Sequence, residues 1–129
     1  MPGGADSVYQ ILRSVYADLM IPTNLTDSAT RYVGATNYKK TRTLAGGPMS
    51  RLVECGSGIT GPNADSYRIH LAVVSRVEIG DGGKSRIRTA VVAAGEDISG
   101  PSKDPIPCGS TGNLEARIHD LVIQRMRAR

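Results

Sequence analysis

The sequence predicts an α+β domain of two layers, an antiparallel sheet of four to five strands with an N-terminal and a C-terminal helix on one face. Two kinds of pattern carry that prediction. From Ser66 to Ala94 apolar and polar residues alternate with a period of two, and at both ends of the chain apolar residues recur at helical spacing. Helices at the two ends with strands between them point to segregated layers, and 129 residues suit a single domain.

Asp6 and Ser7 offer capping oxygens ahead of Val8, Ile11, Leu12, Val15, Tyr16 and Leu19, an amphipathic helix over Ser7 to Leu19. Pro22 ends it, because the residue before a proline avoids helical geometry. Residues 1–5 are expected to be disordered or added by cloning. Thr23 to Ala29 is polar and turn-like, and the Asn24-Leu25-Thr26 triplet is taken as a chance match to a glycosylation acceptor. Arg31 to Thr36 and Asn37 to Leu44 read as strands, with Gly34 as a bulge. Ser50 to Cys55 reads as a short strand with Leu52 and Val53 on opposite faces, and Gly56 to Asp65 as a loop.

The central hairpin follows. Ile69, Leu71, Val73, Val77 and Ile79 share one parity, and Arg68, His70, Arg76 and Glu78 share the other. Cross-strand partners must have numbers of the same parity, so a three-residue loop Asp81-Gly82-Gly83 sets Val77 against Ile87, Val73 against Val91 and Glu78 against Arg86. It also sets Arg76 against Arg88, a like-charged pair. Glu96 to Cys108 contains Gly100, Pro101, Pro105 and Pro107 and reads as an irregular connection. Leu114, Ile118, Leu121, Val122 and Met126 mark the second helix, capped from Ser110, Thr111 or Asn113. Arg125, Arg127 and Arg129 at its end suit the macrodipole.

Composition narrows the function classes. The chain has five Tyr, no Phe and no Trp, too few aromatics for a single-stranded nucleic-acid platform. Net charge is +4, mildly basic with dispersed arginines. No apolar run reaches the roughly 20 residues of a membrane-spanning helix. Gly56-Ser57-Gly58-Ile59-Thr60-Gly61 fits a dinucleotide fingerprint, but Pro62 and a strand follow where a helix is needed, so it reads as a turn. Gly109 to Asn113 lacks the lysine of a phosphate loop. Two Cys and two His, scattered singly, lack metal-ligand spacing, and no Ser, His and Asp share a catalytic spacing. The expectation is a protein without cofactor, metal or enzymatic activity.

Two features remain as candidate sites. Arg68, His70, Arg76, Arg86 and Arg88 gather on the outer hairpin face, either as a solvated surface or as the contact for an anionic partner. Cys55 and Cys108, each followed by glycine, are either unrelated thiols or a disulfide; the bridge is the favoured reading and implies an oxidising compartment.

In element order the helix from Ser7 to Leu19, the Ile21-Pro22 exit, the polar segment at Asp27, the antiparallel strands and the closing helix resemble helix-grip domains of bacterial envelope lipoproteins. The accessory lipoproteins of outer-membrane protein assembly are the nearest example. The Cys55-Gly56 and Cys108-Gly109-Ser110-Thr111-Gly112 framing is similar to that of exported bacterial proteins. The resemblance implies an exported envelope domain, in the periplasm or at the cell surface, acting by protein binding or self-association. The alternatives are a cytosolic nucleic-acid-binding domain using the basic face, and a helix-grip pocket for a small ligand lined by Tyr9, Tyr16 and Tyr67.

Overall fold

A computed structural model of the chain describes residues 4–59, 61–99 and 104–128. Helix α1 spans Ala5–Asp18 and buries Val8, Tyr9, Ile11, Leu12, Val15 and Tyr16. Its N-cap is Gly4, without a side-chain cap, so the helix begins at Ala5 and Asp6 and Ser7 lie inside the first turn. Met1, Pro2 and Gly3 lie outside the described residues. The helix closes in a Schellman turn, in which Ile21 N–H donates to the Tyr16 carbonyl and Met20 N–H to that of Ala17. Met20 holds the left-handed position at φ 61°.

Six strands form one antiparallel sheet: β1 (Leu25–Asp27), β2 (Tyr32–Thr41), β3 (Val53–Glu54), β4 (Arg68–Ile79), β5 (Ser85–Glu96) and β6 (Ile106–Ser110). Their spatial order is β1-β2-β4-β5-β6-β3. The sheet is therefore larger than the four or five strands expected. Helix α2 (Asn113–Arg127) returns to the same face as α1. Arg125 of α2 pairs with Asp18 and donates to Ser14 Oγ, both on α1. That arginine thus joins the two helices as well as suiting the end of its own; Arg129 lies outside the described residues.

The β4–β5 register is the one derived from parity, including Val77 against Ile87, Val73 against Val91 and Arg76 against Arg88. Gly80 N–H closes the loop on the Lys84 carbonyl at 2.7 Å, with Gly82 and Gly83 at φ 75° and 76°. Ile69, Leu71, Val73 and Val77 are buried under the helices. Between them, Ser75 is fully buried on the same side. Its Oγ lies 2.7 Å from both Tyr16 Oη and Thr89 Oγ1, a hydroxyl chain linking α1, β4 and β5. Burial pushes the Tyr16 phenol up to about 12, against the opposing effect of its bond to Ser75.

Several local expectations are corrected. The segment from 32 to 41 is one strand, and its bulge falls at Thr36 and Asn37, where the register shifts between Ala35 and Tyr38. Asn24 clamps that bulge, accepting from Thr36 N–H and donating to the Thr36 carbonyl, each at 2.8 Å. Gly34 serves close approach instead, since a Cβ there would lie 2.4 Å from the Val73 carbonyl oxygen. Of Ser50 to Cys55 only Val53–Glu54 is a strand; a 3-10 turn over Met49–Arg51 precedes it, and Leu52 and Val53 are both buried.

The proline-rich connection yields a strand. Ile106, Pro107 and Cys108 pair with Gly95, Ala94 and Ala93 of β5, while only Gly109 and Ser110 pair with β3. Pro107 thus occupies a stretch laddered on one side, where proline is tolerated. Gly100 and Pro101 lie outside the described residues. The N-cap of α2 is Gly112 in the left-handed conformation. Thr111 Oγ1 and Asn113 Nδ2 donate to the Arg51 carbonyl, and Ser110 Oγ donates to Glu115.

Candidate functional site

With both helices on one side, alternate residues of β4 and β5 have no layer of the described residues above them. Arg68, His70, Arg76, Arg86 and Arg88 all lie on this open face, as parity requires. At its centre are Ala72, Val74, Ala90 and Val92, the last 67% exposed.

The arrangement of charge on this face is uneven. Near the hairpin tip, Glu78 lies 3.6 Å from both Arg86 and Arg88. At the far end, Glu96 Oε1 lies 3.3 Å from Arg68 and 3.6 Å from His70 Nε2. The latter distance is too long for a hydrogen bond, and His70 Nε2 is buried without a hydrogen-bond partner among the described residues. Arg76, between these ends, stacks on Tyr32 of β2, 5.1 Å from the ring centroid. A shallow depression of about 390 Å³ opens beside it, lined by Tyr32, Val74, Arg76, Glu78, Arg88, Thr89 and Ala90.

The structure thus brings the five predicted residues to one face and adds Tyr32, Lys39 and Glu96, which the sequence reading missed. Glu96 was within reach: carrying the hairpin register two residues past Ala94 places it against Arg68. Tyr32 was not, because its pairing with Arg76 depends on β2, whose bulge no sequence motif marks.

Cys55 and Cys108 form a disulfide with a Cα separation of 4.5 Å, joining the end of β3 to β6. Gly95 lies beneath the bridge, where a Cβ would meet Tyr67 at 3.0 Å and Cys108 Sγ at 3.2 Å. The glycine-rich stretch after Cys55 is a small hairpin, Ser57–Gly58 against Gly61–Pro62, followed by a single 3-10 turn; Thr60 lies outside the described residues. Tyr9 and Tyr16 are packed in the core, with their hydroxyls committed to the Tyr32 carbonyl and to Ser75.

Among the described residues, no three of His, Cys, Asp and Glu gather where they could hold a metal ion. No helix of the described residues is long and apolar enough to cross a membrane. Comparison with protein-family models, curated proteins and solved structures returned no match.

Proposed function

We propose that this chain is a non-enzymatic, exported domain of the bacterial envelope that binds another protein through the open face of its sheet. The observation that carries the reading is the apolar centre, with Ala90 and Val92 exposed and Ala72 and Val74 half-buried, framed by arginines on a sheet that the described helices cover from one side. Exposed apolar surface rimmed by charge is the composition of a protein contact. The Cys55–Cys108 bridge supports export, because such bonds persist where the surroundings are oxidising.

A photo-crosslinking amino acid placed at Val92, with Gln10 on the exposed side of α1 as control, tests the contact in the native host. The expected result is a discrete adduct from position 92 and none from position 10. An adduct of twice the mass of 13.7 kDa would assign the face to a second copy. Equal labelling from both positions, or none from 92, would overturn the reading. For export, alkylation of the denatured protein is expected to label both cysteines only after reduction.

A further inference from the structure

The four arginines of the open face are not equivalent. Arg68 has Glu96, while Arg86 and Arg88 share Glu78. Arg76 pairs with no carboxylate among the described residues. Its guanidinium lies over Tyr32, and its direct cross-strand neighbour is Arg88. Like charges placed opposite one another are unfavourable, and one carboxylate divided between Arg86 and Arg88 leaves positive charge uncompensated at the depression.

We propose that Arg76 and Arg88 form a carboxylate-binding subsite that takes an acidic side chain of the partner protein, with Val74 beside it and Val92 further along β5 receiving apolar side chains. The proposal rests on the open-face reading and specifies its chemistry. Tyr32 limits the freedom of the Arg76 fork, and a guanidinium held in place suits the two oxygens of a carboxylate. A nucleic acid fits less well, because Glu78 and Glu96 stand among the arginines and repel phosphates, and Tyr32 already lies under Arg76. A second copy also fits less well. Arg68, Arg76, Arg86, Arg88 and Lys39 outnumber Glu78 and Glu96 on this face, so two such faces repel.

The test uses a capped Glu-Val-Glu-Val-Glu peptide as probe, with the Gln-for-Glu peptide and a short oligothymidylate as controls, followed by NMR of arginine Nε and valine methyl groups. The Glu peptide is expected to shift Arg76, Arg88, Val74 and Val92 together. Arg76→Gln and Arg88→Gln should each weaken binding about tenfold, the loss of a charged hydrogen bond. The thermal midpoint of Arg76→Gln should stay within about 2 °C of the parent, because lost stacking on Tyr32 is offset by relief from Arg88.

No shift at Arg76 and Arg88 up to millimolar peptide, equal binding of the Gln peptide, or tighter binding of the oligothymidylate would each overturn the subsite. Crosslinking from Val92 at undiminished yield in Arg76→Gln would remove the subsite and leave the open-face reading standing. Absence of the crosslink in the parent protein removes the open-face reading itself, whatever the peptide does.

Discussion

The two faces of one hairpin behave as different materials. Under the helices, Ile69, Leu71, Val73 and Val77 are sealed, and the polar intruder Ser75 is satisfied on both sides by Tyr16 and Thr89. One residue away along the same strand, Arg76 has a ring beneath it and another arginine beside it. The backbone ladder is common to both, so the difference comes from what the alternate side chains meet. The inner face is settled by burial and the outer is left to be settled by something else, which is why stability and binding should separate by parity.

The largest expected effect lies on the inner side. Loss of the Cys55–Cys108 bridge, whose cysteines are 53 residues apart, should cost about 4 kcal/mol in the chain-entropy account, read as a lower urea midpoint for the Cys55→Ser, Cys108→Ser protein. Ile69→Ala, at a position with no exposure, should cost roughly 3 kcal/mol from lost transfer and a cavity. Val92→Ala on the other face should stay within about 0.5 kcal/mol. Comparable losses from the two valine and isoleucine variants would erase the distinction between faces.

Next comes the buried phenol. Tyr16 ionises in the folded state near 12 rather than 10, so its burial favours folding at all pH values below about 10, and that contribution is lost as pH rises from there through 12. A two-unit shift corresponds to roughly 2 to 3 kcal/mol. Alkaline unfolding followed by circular dichroism should therefore show a step in that window, and Tyr16→Phe should flatten it. A step that survives the substitution would assign it to another group.

A smaller effect belongs to the turn after α1. Met20 is 80% exposed and holds a left-handed conformation that costs a residue bearing a Cβ about 1 kcal/mol. Met20→Gly should raise the thermal midpoint by a few degrees or less. A fall would mean that contacts of the Met20 side chain outweigh the backbone strain.

The hairpin could be read from the sequence down to its register, because parity, two glycines and a three-residue loop left one solution. The open-face arginines came with it. The edges could not be read. β1 and β3 have three and two residues, too few for a pattern, and Pro105 and Pro107 hid a strand that exists because its laddered side faces β5. The cap of α2 was misplaced because Ser110, Thr111 and Asn113, all good capping residues, are bound to Glu115 and to the Arg51 turn instead. Such choices are made by tertiary contacts, and local propensity does not contain them.

The clasp between the helices bears on when this chain can fold. Arg125 grips Ser14 across 111 residues of sequence, and α2 covers part of the sheet that α1 begins to cover. Until α2 docks, Leu114, Ile118 and Val122 are missing from the core and the surface that they cover is open. Long-range closure of this kind is slow and comes last. The two helices are therefore expected to lock together late in folding, after the hairpin between them has formed its ladder.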